Sequence, residues 1–162
     1  MLQKKICMLG AFSVGKTSLV QRFVSSIFDD KYHTTIGVKI DKKVITLDDQ
    51  EFTLMLWDLA GEDVFNKINP TYLRGAAGCI LVVDGTRPHT LDVAYEIRGL
   101  VAATLGDVPI VIALNKADLK DQWLLDDDAQ VEMRQKFDVI ETSAKSGNNV
   151  EEIFERLGRL ML

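Results

Sequence analysis

The stretch Lys5–Thr17, KICMLGAFSVGKT, decides how this chain is read. Ile6–Leu9 are apolar and read as a short buried strand. Gly10, four residues, and Gly15-Lys16-Thr17 follow, and then an apolar-periodic segment from Ser18 to Phe23. That is a strand, a glycine-bounded loop and a helix start with Lys and Thr at its N-terminus. Phosphate needs this arrangement, because consecutive backbone N–H groups converge on the anion and the helix dipole adds positive potential. Glycine is needed where the backbone takes special angles or lies too close to phosphate for a Cβ. Lys16 can reach the terminal phosphates, and the Thr17 hydroxyl can ligate Mg²⁺. Phe12, Ser13, Val14, Gly15, Lys16, Thr17 and Ser18 are therefore candidate phosphate contacts. Four fixed positions match by chance in roughly one chain of this size in a few hundred, and the flanking strand and helix lower that further.

Composition sets the bounds. At 162 residues, 47% hydrophobic and 27% charged, the expectation is one ordered domain over 1–162 with one sizeable core. Nineteen Lys and Arg against 24 Asp and Glu give a net charge of −5 and no basic stripe, so nucleic acid is not the expected partner. Cys7 and Cys79 each lie in an apolar strand-like run and read as small buried hydrophobes of a reducing, cytoplasmic compartment. There is no apolar run of 18 or more, no signal peptide and no lipidation motif, so no direct membrane anchor is expected.

Apolar runs alternate with helical patterns, which points to an α/β sheet with helices on both faces. The expected elements are a strand at Lys5–Leu9, a helix at Lys16–Ser25, and strands at Val38–Leu47 and Glu51–Trp57. Asp48-Asp49-Gln50 joins these two strands, and so short a link makes them antiparallel. Asp58–Pro70 reads as an irregular loop with one helical turn at most. A fully apolar strand at Gly78–Val83, a helix at Leu91–Leu105 and a strand at Pro109–Leu114 come next. An acid-led helix at Asp126–Lys136, a short strand at Val139–Ile140 and a helix at Val150–Leu160 complete the chain.

In open sheets of this type, ligands sit beyond the C-terminal ends of the strands. Polar residues with clear chemistry follow several strands here. Asp58 can hold Mg²⁺, usually through water, opposite Thr17, and Gly61 lacks the Cβ that would keep its N–H from a γ-phosphate. Asn115-Lys116-Ala117-Asp118 selects a base, since the Asp118 carboxylate can accept from both N1–H and the 2-amino group of guanine. Losing two such charge-assisted bonds costs about 3–6 kcal/mol, which disfavours adenine and an ATP-using kinase. Asn115 can tie this loop to the phosphate loop, and the Lys116 stem can lie on the face of the base. Ser143-Ala144-Lys145 can supply a backbone N–H to the guanine carbonyl. Thr35, beside Ile36-Gly37, is the choice over Thr34 to complete the Mg²⁺ shell when a γ-phosphate is present. Phe28 suits either edge-on packing against the base or the core.

Together these residues resemble the Ras superfamily of small GTPases, and its Rab-like branch most closely. Gly10–Thr17 is similar to the family's phosphate loop, Tyr32–Gly37 (YHTTIG) to its first switch, and Trp57–Phe65 (WDLAGEDVF) to the opening of its second. Tyr72–Ala76 (YLRGA) and Leu81–Thr86 (LVVDGT) resemble Rab sequences in particular; Asn115–Asp118 (NKAD) and Glu141–Lys145 (ETSAK) resemble the guanine-specificity elements. The resemblance implies a P-loop NTPase three-layer sandwich, with a six-stranded, mostly parallel sheet, one antiparallel edge strand and about five helices. It implies GDP/GTP and Mg²⁺ as ligands, slow hydrolysis to GDP and phosphate, and switch loops at about 28–38 and 58–73 read by protein effectors and regulators. Ile36, Trp57 and Phe65 would offer those partners an apolar surface, or lie partly in the core.

Three departures from the family pattern bear on catalysis. Glu62 stands where the family's water-positioning Gln is expected; an ionised Glu can accept from water but cannot donate to the γ-phosphate. Its charge also faces a polyanion, although a carboxylate is the better base and can share a proton with the phosphate, so hydrolysis is either lowered or altered. Phe12 occupies a loop position that is commonly Gly or Ser, and its ring would crowd an external arginine finger worth roughly 10³–10⁵ in rate. The prenylated C-terminal cysteines of Rab proteins are absent from the sequence. Two functions follow: a hydrolysing GTPase switch with Glu62, Lys16 and Gly61 as its catalytic set, and a GTP-binding scaffold that hardly hydrolyses.

Overall fold

Strand β1 (Leu2–Gly10) runs through the middle of the sheet, and its alternation builds both sides of the core. Ile6 and Met8 face one layer of helices, Cys7 and Leu9 the other, and all four are fully buried. The computed structural model describes residues 2–26, 37–61 and 67–162. Phe28, Thr34, Thr35, Ile36, Glu62 and Phe65 lie outside the described residues.

The remaining elements are α1 (Lys16–Ser25), β2 (Val38–Leu47), β3 (Gln50–Leu59), β4 (Gly78–Asp84), α2 (His89–Leu105), β5 (Ile110–Asn115), α3 (Asp127–Lys136), β6 (Asp138–Glu141) and α4 (Val150–Leu160). Short 3₁₀ segments add Pro70–Leu73, where the Asn69 side chain accepts from Thr71 N–H, and Ala117–Gln122. Strand order is β2-β3-β1-β4-β5-β6, parallel throughout except for the edge pair β2–β3. This is the six-stranded sheet with one antiparallel edge strand that the sequence and its resemblance imply.

Helices α1 and α4 cover one face through Leu19, Phe23, Ile153, Phe154 and Leu157, with Phe23 and Phe154 stacked 4.0 Å apart. Each such side chain contributes about 1.5–3 kcal/mol by leaving water. On the other face, α2 supplies Leu91, Ala94, Ile97 and Val101, and α3 supplies Met133. Cys7 and Cys79 are buried free thiols, paired in register across β1 and β4.

Most element ends differ from the sequence reading by one to three residues, and three of these differences have a clear physical reason. Asp58 lies within β3, paired with Met8 and Lys39, rather than after it. Asn115 closes β5, paired with Asp84, rather than following it. Each polar side chain finds a partner outside the sheet, Thr17 of α1 for Asp58 and Val14 and Thr142 for Asn115, so its polarity does not end the ladder. The hairpin turn holds two residues, Asp48 and Asp49, both at positive φ, because Gln50 already pairs with Leu47.

Candidate functional site

The phosphate loop spans Gly10 to the first turn of α1. Ser13 (φ 61°) and Gly15 (φ 102°) adopt left-handed backbone, which curls the short loop in the way that lets successive N–H groups converge on an anion. No side chain caps the N-terminus of α1, so the helix's positive end opens onto the hollow of that loop. The Lys16 side chain is only 5% exposed and folds back over the loop, its Nζ donating to the Ala11 carbonyl at 3.4 Å. Burial lowers its pKa to about 8; the Asp58 carboxylate opposes that fall, and the Arg87 charge adds to it. A desolvated ammonium at a helix N-terminus, held by one long bond to a neutral oxygen, is suited to an anion.

Beside Lys16, Thr17 Oγ1 donates to Asp58 Oδ2 at 2.5 Å, and Asp58 is fully buried. A hydroxyl and a carboxylate side by side at the phosphate loop are hard oxygen donors of the kind Mg²⁺ takes, with water and phosphate oxygens filling the rest of an octahedron. The residues present therefore fit the ion, and Thr17 and Asp58 are the described residues that would hold it.

The chain leaving β3 lies on the phosphate loop. A Cβ on Gly61 would come within 2.6 Å of Phe12 Cα and 2.9 Å of the Ala11 carbonyl oxygen, so only glycine fits. Ala60 N–H donates to the Gly37 carbonyl at 2.9 Å, which joins the backbone entering β2 to that leaving β3.

On the far side of the hollow, Asn115 Nδ2 donates to the Val14 carbonyl at 2.9 Å, and its Oδ1 accepts from Thr142 Oγ1 at 3.1 Å. Gly15 packs so closely on this amide that a side chain there would overlap it. Lys116 is bent into left-handed backbone (φ 69°), and its Nζ crosses to Asp84 Oδ2 (2.8 Å) and to the Ser13 carbonyl (3.4 Å). Its aliphatic stem thus bridges the two loops, as base stacking requires. Asp118 is exposed, with Oδ1 accepting from Ser143 Oγ at 2.8 Å. Ser143 N–H is already engaged with the Asn148 carbonyl at 3.0 Å, which narrows backbone donation from Ser143-Ala144-Lys145 to its last two residues.

The structure thus brings together Phe12 to Ser18, Asp58, Gly61, Asn115, Lys116, Asp118 and Ser143 to Lys145 on one rim. Three contributors, Asp84, Arg87 and Trp123, escape the sequence reading of the site. Asp84, fully buried at the end of β4, receives Lys116 and Arg87 on Oδ2, and the Thr86 N–H and hydroxyl on Oδ1. Burial pushes its pKa up, but the bonds from Lys116 and Thr86 outweigh that and hold it below the ordinary value. Arg87 reaches on to the Phe12 carbonyl. Trp123 covers Gly85 and donates from Nε1 to the Lys116 carbonyl at 2.9 Å, and Thr142 holds the Asn115 amide. The one available signal was a carboxylate ending a fully apolar strand in LVVDGT.

Comparison with known proteins agrees with this geometry. The Ras family profile matches residues 5–162. The Ras-related protein Rab-7b of Bos taurus is 35% identical over 158 residues, covering 94% of this chain and 79% of that protein. The chain therefore belongs to the Ras family, as a Rab-like small GTPase that binds GTP and GDP with Mg²⁺ and works as a molecular switch.

Proposed function

We propose that this GTPase hydrolyses GTP slowly, with a division of labour set by the rim. The phosphate loop and Lys16 would hold the phosphates, and Thr17, Thr35 and Asp58, the last through water, would hold Mg²⁺. The ion, when bound, neutralises charge on the phosphate oxygens. Gly61 and Thr35 contact the γ-phosphate, so the segments around 28–38 and 58–73 order with GTP and loosen after hydrolysis. Asp118 reads guanine, Lys116 supports its face, and Glu62 lies near the attacking water. Effectors and regulators read the switch segments together with the adjoining β2–β3 surface, where Ile40 is exposed and Trp57 half-buried under the Lys5 ammonium. The buried free thiols support a cytoplasmic setting.

The observation that carries this reading is the direct tie of base loop to phosphate loop, Asn115 Nδ2 to the Val14 carbonyl and Lys116 Nζ to the Ser13 carbonyl. One nucleotide can span both loops only if they are held in register. A GTP-binding scaffold with little turnover is the second reading, favoured by Glu62 and by the Phe12 ring, 36% exposed on the loop where an external arginine would enter. Single-turnover hydrolysis of preloaded GTP with Mg²⁺, followed over hours, separates the two. GDP accumulating above the buffer blank supports the slow switch. Its absence, with turnover restored by Glu62→Gln, supports the scaffold.

A further inference from the structure

Three consecutive carbonyls of the phosphate loop each accept one donor from outside it. The Phe12 oxygen takes Arg87 Nη2 at 2.5 Å, the Ser13 oxygen takes Lys116 Nζ at 3.4 Å, and the Val14 oxygen takes Asn115 Nδ2 at 2.9 Å. In a planar trans peptide, C=O and the next N–H point in opposite directions. Fixing these oxygens against the rim therefore turns the N–H groups of Ser13, Val14 and Gly15 the other way, into the hollow. Two of the three donors belong to the base loop. The third, Arg87, belongs to neither nucleotide loop.

Arg87 is well fixed for this task. Its Nε donates to Asp84 Oδ2 at 3.2 Å, and the same carboxylate is held by Lys116 and by both donors of Thr86. Phe12 is pressed from its other side by Gly61, which leaves no room for a Cβ. The Arg87 charge also lies near enough to oppose the Lys16 ammonium, which places it within electrostatic reach of the phosphates.

We propose that Arg87 is a positioning residue of the nucleotide site: by holding the Phe12 carbonyl outward it aims the Ser13 N–H at the phosphates, and so sets how long a guanine nucleotide stays bound. The inference rests on the guanine-nucleotide reading above. It adds a residue that acts through the loop and touches no substrate.

The test uses the full chain and a fluorescent GDP, comparing wild type, Arg87→Ala and Arg87→Lys. Arg87→Ala should release GDP about five- to tenfold faster, the loss of one well-aimed donor. Arg87→Lys keeps the charge and reaches either Asp84 or the Phe12 carbonyl, not both, so its release rate should fall between the two. Inosine diphosphate, which lacks the 2-amino group, reports on the base loop separately. Its affinity relative to GDP should stay within twofold of wild type in Arg87→Ala. GDP release within twofold of wild type, or a GDP-to-inosine-diphosphate ratio that collapses along with affinity, would overturn the assignment. If the wild-type chain bound no GDP, the nucleotide reading itself would fall, a result distinct from either.

Discussion

Thr17 Oγ1 lies 2.5 Å from Asp58 Oδ2, joining the first turn of α1 to the penultimate residue of β3. The contact brings the two described candidate Mg²⁺ residues together from elements far apart in the chain. A divalent ion bound there is shared with the phosphates, so it should slow nucleotide release. Chelation with EDTA should accelerate release of a fluorescent GDP from the wild type. In Thr17→Ala the acceleration should shrink at least about fivefold, because one ligand of the ion is gone. An EDTA effect equal to that of the wild type would show that Thr17 does not hold the metal.

Asn115 makes two buried bonds, to Val14 and to Thr142, and Gly15 packs on its amide. Asn115→Ala leaves a carbonyl and a hydroxyl without their partner, at a cost of about 1–3 kcal/mol for each group left unsatisfied. Nucleotide affinity should fall at least about tenfold, measured by calorimetric titration with GDP. Thr142→Val removes only the supporting bond and should cost less. Equal effects of the two variants would mean that the tie to Val14 adds nothing.

The parts of the site legible in the sequence are those whose chemistry is local. Gly10, Gly15, Lys16 and Thr17 form a loop and helix start whose geometry follows from their spacing, and the apolar alternation of Ile6 to Leu9 sets the strand that presents them. Asp118 was readable because a carboxylate pairs with guanine's two donors whatever surrounds it. The boundaries at Asp58 and Asn115 were misplaced because both polar residues look like strand terminators until Thr17 and Val14 arrive from elsewhere to bond them. Asp84 and Arg87 were invisible as site residues for the same reason. Nothing near them in sequence says that the left-handed bend at Lys116 sends its ammonium back to β4, or that a side chain before α2 reaches the Phe12 carbonyl.

Lys16 gives the site a pH dependence of definite sign. In the free protein its pKa is lowered to about 8, chiefly by burial. Phosphates bound beside it favour the charged form and raise that pKa. Binding therefore takes up a proton above pH 8, and affinity falls as pH rises, by about tenfold between pH 7 and pH 9. The nucleotide-free fold shows the opposite trend from this group: its lowered pKa costs stability at neutral pH, and the cost is relieved between about pH 8 and the ordinary lysine value. GDP titrations across that range check the first claim, and Lys16→Met should flatten the profile while weakening binding throughout.

Asp118 carries base selection, and its setting fixes how large the effect of losing it should be. The carboxylate is exposed in the absence of ligand and steadied by Ser143 Oγ at 2.8 Å, so a nucleotide meets an acceptor already in place. Asp118→Ala removes the acceptor for both guanine donors and should weaken GTP binding at least about tenfold, toward the 3–6 kcal/mol that two charge-assisted bonds imply. Ser143→Ala keeps the acceptor for both guanine donors and loses only its support, so it should cost less, about threefold to tenfold. Competition titrations with GTP and inosine triphosphate distinguish the two variants. Asp118→Ala should bring the two nucleotides close to equal affinity, because no group remains to sense the 2-amino group, whereas Ser143→Ala should preserve most of the preference. Unchanged GTP affinity in Asp118→Ala would remove the basis for guanine recognition at this rim.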